Sequence, residues 1–406
     1  MKKIWKLMII VFIFIGNTSN IHADEDIQLE TKYIYAVDME SGMELYNTKA
    51  DERMYPASMT KVATAIVAIE MIEDMQATVT ITKEDLDTIF ETQASAAYLQ
   101  IGEVVTYEDL LYGVIMPSGA DACRALAFNL SGSIEAFVDE MNAYVKKIGL
   151  KDTHFVNPTG IHDDNHYSTL KDIAKLTEVA MENEVFYELF TSYGYTTSNG
   201  IHSWANSAKA FASAAGVPTD RIIGCKSGYT DEAQSCLVSL AKVNGREVMV
   251  VVGHTLADKI SSPATRQTNQ ILDDIEENYG YQEIFKKDQE IIEVPVLYAK
   301  DISRLKVQMV HDVELYLPND IKEEDLKIDL EFEDIIPNVE IDDPIGKLKI
   351  SYQNIELYEE IFNSDVKIEK DFFAYLQYGI FNEYRYITIG AILVSIYLAI
   401  HSYKPK

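Results

Sequence analysis

Cysteine is scarce in this 406-residue chain, which carries only Cys123, Cys225 and Cys236. Three thiols cannot all pair, so no disulfide framework holds the fold. Cys225 and Cys236 flank an expected hairpin, which leaves one bridge between them, or free buried thiols, as the alternatives. No C-x-x-C spacing occurs, and His162 and His166 have no evident further ligands, so a metal-site pattern is lacking. Basic residues are few as well: 35 Lys and Arg stand against 65 Asp and Glu, a formal net charge of −30. Nucleic-acid binding needs a basic footprint and is excluded. The acidic balance favours solubility and self-repulsion and says nothing about fold.

At 406 residues and 47% hydrophobic composition, the chain can build a sizeable core, and two domains are the natural expectation. Met1 to Ala23 starts with Lys2, Lys3 and Lys6, continues as an apolar stretch from Leu7 to Ile15 and ends polar. That is the layout of a secretory signal, with cleavage after Ala23; the apolar part is too short to span a bilayer. Tyr386 to Tyr403 contains no Lys, Arg, Asp or Glu. Its length fits a transmembrane helix, with tyrosines at the interfaces and Lys404 and Lys406 at a cytoplasmic end. A helix lying in the interface is the alternative.

The most informative stretch is Tyr55-Pro56-Ala57-Ser58-Met59-Thr60-Lys61, which opens the apolar segment Val62 to Met71. Pro56 suits a helix start. Ser58 and Lys61, three apart, share a helical face. A serine at the positive end of a helix beside a desolvated lysine is a nucleophile with its own base. By itself the S-x-x-K pattern is weak, because Ser58, Ser168, Ser239, Ser303 and Ser364 all satisfy it. Ser58 alone opens a long apolar helix. It alone is also followed by Ser118-Gly119-Ala120 and then by Lys226-Ser227-Gly228.

S-x-x-K, then S-x-N, then K-T-G is the order found in penicillin-recognising serine enzymes. The second element here reads S-G-A and the third K-S-G. The surroundings of these motifs, with Phe155-Val156-Asn157-Pro158-Thr159-Gly160 and His166-Tyr167-Ser168-Thr169, closely resemble the low-molecular-weight penicillin-binding proteins. Specifically, the chain is similar to serine-type D-alanyl-D-alanine carboxypeptidases, strongly from about Tyr33 to Ala241 and more weakly to about Lys367.

The organisation of the chain is compatible with that resemblance. Tyr33 to Asp38 and Met43 to Tyr46 are expected as strands, as are Ile222 to Thr230, Cys236 to Lys242 and Val248 to Gly253. Helical spacing occurs at Tyr107 to Met116, Asp121 to Asn129, Ile134 to Ile148 and Thr169 to Met181, the last with Thr169 and Asp172 at capping-box spacing. Strands at both ends with helices between them predict an α+β fold, one antiparallel sheet with helices packed on it. The resemblance implies a β-lactamase/transpeptidase-like catalytic domain. The expected division is a signal peptide (1–23), a catalytic domain (24–283), a small β-rich domain (284–367), a juxtamembrane segment (368–385) and a transmembrane helix (386–403). This layout places the catalytic domain on the extracellular side of the membrane.

The resemblance implies a peptidoglycan stem peptide ending in D-Ala-D-Ala as substrate, β-lactams as ligands and no cofactor. Ser58 would be the acyl-ester nucleophile, Lys61 the general base and Ser118 a proton relay. Lys226 and Ser227 would hold the substrate carboxylate. Gly228 would let the backbone approach, and the N–H groups of Ser58 and Tyr229 would form the oxyanion hole. Ala120 departs from the family asparagine. Either another group substitutes and the enzyme is active, or the chain acylates and turns over poorly as a penicillin-binding or scaffold protein. A DD-endopeptidase would use the same residues. A class A β-lactamase would need a glutamate for deacylation, and none can be assigned.

Overall fold

The structure, a computed structural model, describes residues 31–87, 94–256 and 262–378. The expected signal segment and transmembrane helix lie outside the described residues, as does the juxtamembrane segment beyond 378. Among the described residues no helix is long and apolar enough to cross a membrane. Two compact units meet in sequence between Asn278 and Tyr279, five residues before the expected boundary.

The first unit begins with β1 (Thr31–Asp38) and β2 (Glu44–Thr48). A 3-10 turn, Ala57–Thr60, leads into α1 (Lys61–Met71). A short pair follows, β3 (Thr78–Thr80) with β4 (Val104–Thr106). Next come α2 (Tyr107–Ile115), α3 (Ala120–Ser131), α4 (Ile134–Lys147), α5 (Leu170–Met181) and α6 (Glu184–Thr191). A second small hairpin, β5 (Gly194–Thr196) with β6 (Ser203–Ala205), precedes α7 (Ser207–Ala214). Then come β7 (Ile222–Thr230), β8 (Gln234–Val243), β9 (Arg246–Thr255) and α8 (Pro263–Asn278). The sheet is antiparallel in the order β2-β1-β9-β8-β7, so both ends of the unit meet in its middle. Val248 to Val252 of β9 are fully buried, as a near-continuous apolar run in a central strand should be.

Every residue of α1 from Lys61 to Ile69 is buried. Small and β-branched side chains all round the helix suit a central position rather than a surface one. The surrounding helices start at side-chain caps: Thr106, Ser133, Thr169, Asn183 and Asn206 each accept a backbone N–H from the first turn. Thr169 caps α5 through Asp172 N, whereas the Asp172 carboxylate takes Asp152 N and Thr153 Oγ1 instead of returning to the cap. The three cysteines are buried and free, so Cys225 and Cys236 do not pair.

The second unit is largely β. It contains β10 (Tyr279–Phe285), β11 (Glu290–Pro295), β12 (Arg304–Gln308), β13 (Val313–Pro318), β14 (Leu326–Phe332), β15 (Pro344–Tyr352) and β16 (Ile355–Asn363), then the short α9 (Phe372–Tyr378). β10 pairs with β13 and β11 with β12, and β14-β15-β16 form a meander. Strand β12 shows the alternation plainly, with Leu305 and Val307 buried between exposed neighbours. In β14 and β16 acidic residues break up the apolar signal, and half-buried positions are interspersed with exposed ones.

One buried ion pair locks the first unit at the end of β1. The Asp38 carboxylate accepts from Arg246 Nε and Nη2 at 2.6 Å each, and from Ser41 N and Oγ at 2.8 and 2.7 Å. Burial opposes ionisation of Asp38, but Arg246 and Ser41 outweigh it and hold the carboxyl below its usual range. The stabilisation is therefore present above the unfolded carboxyl range and is lost as pH falls through the lowered native value. Arg246→Leu strands the Asp38 charge and is expected to cost about 3–5 kcal/mol in urea unfolding at neutral pH. A loss below about 1 kcal/mol would contradict this assignment.

Candidate active site

Ser58 stands on the 3-10 turn and α1 begins only at Lys61, which corrects the expectation of an α-helix opening at Ser58. Side chains three apart eclipse one another on a 3-10 turn. Lys61 Nζ accordingly lies 2.9 Å from Ser58 Oγ. Ala57 makes the corner with a positive φ of 46°. Such strain, on the order of 1–3 kcal/mol, clusters at functional sites. Gly160 completes the corner from across the cleft: a Cβ there would overlap the Ala57 carbonyl oxygen, so no other residue fits.

Lys61 is 2% exposed and has a second acceptor in Thr159 O at 2.6 Å. Burial pushes its ammonium below the ordinary lysine value, against the opposing pull of Cys123 and Asp121. The segment that supplies this carbonyl is pinned along its length. Asn142 takes both backbone groups of Phe155, and His166 Nδ1 accepts from Val156 N. Thr64 donates to Pro158 O. Asn157 Oδ1 accepts from Thr159 N, Thr159 Oγ1 and Gly160 N, closing the turn on itself. None of these residues was assigned a role from the sequence. Their signal was the cluster Asn157-Pro158-Thr159-Gly160, and a carbonyl used as a ligand leaves no side-chain signature.

Ser118 and Lys226 form a second serine–lysine pair. Ser118 sits at a positive φ of 64° just before α3. Its Oγ accepts from Lys226 Nζ at 2.8 Å, so the bonded partner of Ser118 is Lys226 rather than Lys61. Lys226, on β7 and 1% exposed, also donates to Ser227 O at 2.9 Å. Burial, and then the charge of Lys61, push it down to about 7. Ala120 is fully buried, and its N–H is used by Ser95 O. Next to it, Asp121 clamps the facing loop through Ala97 N at 2.8 Å and Leu99 N at 3.1 Å.

The K-S-G segment lies against the nucleophile turn. A Cβ on Gly228 would come within 2.7 Å of Ser58 N and 2.9 Å of the Ala57 side chain. Because β7 is the edge strand, glycine at this point lets its backbone approach Ser58 closely. Ser227 is half-buried, and the exposed Tyr229 ring donates its hydroxyl to Asp231 at 3.0 Å. The fold thus gathers Ser58, Lys61, Ser118, Lys226 and Gly228 into one place from positions up to 170 residues apart in sequence. Among the described residues no group of three or more His, Cys, Asp or Glu side chains is placed to hold a metal ion. The arrangement offers a hydroxyl nucleophile, a desolvated amine to take its proton, a second hydroxyl on a second lysine and an edge of backbone donors. That set suits acyl transfer through a serine ester.

Known proteins agree with this reading. Residues 19–255 match the family model described as D-alanyl-D-alanine carboxypeptidase. The D-alanyl-D-alanine carboxypeptidase DacF of Bacillus subtilis is 32% identical over 281 residues, covering 67% of this chain and 68% of the relative. A Streptomyces D-alanyl-D-alanine carboxypeptidase is 34% identical over 251 residues, covering 58% of this chain and 84% of the relative. The crystal structure of a Streptomyces DD-transpeptidase is 31% identical and superposes with a TM-score of 0.54, covering 61% of this chain and 98% of the other. Penicillin binding protein 5 from Haemophilus influenzae superposes with a TM-score of 0.61 over 86% of this chain and all of the other; at 24% identity it shows the fold alone. With the family model spanning more than half of the sequence and carrying both serine–lysine motifs, the chain belongs to the D-alanyl-D-alanine carboxypeptidase family of serine enzymes.

Proposed function

We propose that the protein removes the terminal D-alanine from peptidoglycan stem peptides ending in D-Ala-D-Ala, through an ester on Ser58. One observation carries this reading: two buried lysines, Lys61 and Lys226, each point an amine at a serine hydroxyl. Burying two ammonium groups side by side is costly and adds nothing to stability. Such perturbed groups converging in one cleft mark a reacting centre.

In the proposed course, neutral Lys61 takes the Ser58 proton as Oγ attacks the carbonyl carbon of the penultimate D-alanine. The backbone N–H groups of Ser58 and Tyr229 stabilise the oxyanion. The C–N bond breaks as the proton taken by Lys61 passes through the Ser118 hydroxyl to the leaving amine, which returns Lys61 to its neutral form; Lys226 keeps that hydroxyl in place. Water then attacks the ester with Lys61 again as base. This releases the shortened peptide as a carboxylate and restores Ser58. Lys226 and the Ser227 hydroxyl hold the free carboxylate of the substrate, which favours cutting at a chain end. Thr159 O supports tolerance of Ala120, because Lys61 keeps a fixed acceptor without a side-chain amide at that position. A second reading, slow turnover after acylation, is favoured by the complete burial of Ala120, which brings no hydrogen-bonding group to the amine.

β-Lactams, which resemble the D-Ala-D-Ala strand and present a strained amide, acylate the same serine in this account. The leader-like start and the apolar run at 386–403 support export and anchoring to the cell membrane, with the catalytic unit outside. Phe372 and Phe373, 65% and 78% exposed, begin the helix that leads towards that run and suit a membrane interface.

The test is incubation of the full chain with a fluorescent penicillin and with a peptide ending in Lys-D-Ala-D-Ala. Labelling and D-alanine release should both occur and both vanish in Ser58→Ala. Labelling without release selects the slow-turnover reading, and labelling that survives Ser58→Ala overturns the site. Gly228→Ala should remain folded yet lose about a hundredfold or more in acylation rate, because the new methyl displaces Ser58 N from the oxyanion position. For pH, Lys226 is a cation below about 7 and loses its charge above it. The kcat/KM for a carboxylate-terminated peptide should therefore fall as pH rises through that region, while a peptide with an amidated end lacks this limb. Identical profiles for the two peptides would remove Lys226 from carboxylate binding.

A further inference from the structure

We propose that His166 is a positioning residue for the reaction: its imidazole ties the nucleophile turn to the segment whose Thr159 carbonyl aims Lys61 at Ser58. The proposal rests on the reading of Ser58 and Lys61 given above. The ring is 2% exposed and both of its nitrogens are engaged. Nδ1 accepts from Val156 N at 3.2 Å, so the ring proton resides on Nε2, which donates to Thr60 Oγ1 at 2.7 Å. Each partner is placed close to the catalytic lysine. Thr60 lies in the chain between Ser58 and Lys61. Val156 lies three residues before Thr159, within the segment pinned by Asn142, Thr64 and Asn157.

Lys61 enters α1 from the Thr60 side and ends on Thr159 O from the Val156 side. The imidazole therefore sets the spacing between the two supports of the amine. Any buried imidazole needs partners for both nitrogens; what singles out His166 is that its partners belong to the two segments that support Lys61. The bond pattern also requires a neutral ring, because a protonated Nδ1 would face the Val156 N–H with another donor. Burial and His154 push the ring down to about 4, Asp163 pulls it up, and His162 and Lys61 lower it further. The Phe155 ring packs against it at 5.3 Å between centroids. The neutral tautomer is thus the working form at neutral pH.

The test compares the full chain with His166→Leu, His166→Gln and Thr60→Val, with Ser58→Ala as control. Thermal melting, penicillin acylation and D-alanine release from the peptide are measured for each. His166→Leu and Thr60→Val should lower kcat by about ten- to a hundredfold, the loss expected when a reacting group is displaced by a fraction of an ångström to 1 Å. KM should stay within about twofold, because no substrate contact is removed. His166→Gln, which offers one acceptor and one donor at similar reach, should recover most of the rate. A parental kcat in folded His166→Leu or in Thr60→Val would overturn the proposal. So would His166→Gln melting as the parent does while as slow as His166→Leu. Should His166→Leu not fold, Thr60→Val decides. Acylation that persists in Ser58→Ala would refute the site itself and is distinguishable from either result.

Discussion

Two amines held out of water beside serine hydroxyls are the constraint on which this structure depends. An exposed lysine carries its proton at neutral pH and cannot act as a base. Burial disfavours the charge on Lys61, which suits it to the base role proposed above, and Lys226 is lowered by the same burial and by its neighbour. A packing defect that let water reach these amines would raise both back towards the ordinary lysine value. The burial of α1 from Lys61 to Ile69 and of Val248 to Val252 in β9 thus serves the chemistry as well as stability.

The rest of the first unit brings chain segments into contact with this pair. The sheet ends at β7, so that a strand edge rather than a helix faces the Ser58 turn. Gly228 and Gly160 remove the side chains that would hold either wall away from the turn. Asp121 secures the facing loop by two backbone N–H groups. Ala57 and Ser118, neither of them glycine, both adopt positive φ. Strain at these two positions flanking the cleft is consistent with a scaffold that fixes geometry at some local cost.

Much of the candidate site was legible in the sequence because its proposed chemistry is carried by side chains in a fixed order. Ser58 with Lys61, Ser118 and Lys226-Ser227-Gly228 could be singled out by spacing, although four other S-x-x-K matches exist. What stayed hidden was carried by backbone. Thr159 contributes a carbonyl, and the residues that aim it, Asn142, Asn157 and His166, contribute hydrogen bonds to main-chain groups. The 3-10 turn was hidden too, since Pro56 followed by small and apolar residues suits either kind of helix start. In the fold, the strands of the main sheet were readable from β-branched runs such as Val248 to Val252. In the meander strands β14 and β16 the apolar signal is interrupted by acidic residues, Asp329 and Glu331 in one and Glu356, Glu359 and Glu360 in the other.

If Lys61 is the base for Ser58, burial must hold its amine below the ordinary lysine value. Side-chain nitrogen NMR of lysine-labelled protein, with Lys61 assigned by its loss in Lys61→Arg, measures this directly. A Lys61 titration displaced below the ordinary value of 10.5 is expected. A Lys61 resonance that stays in the ammonium form up to its ordinary titration range would contradict the account, because Ser58 would then have no base.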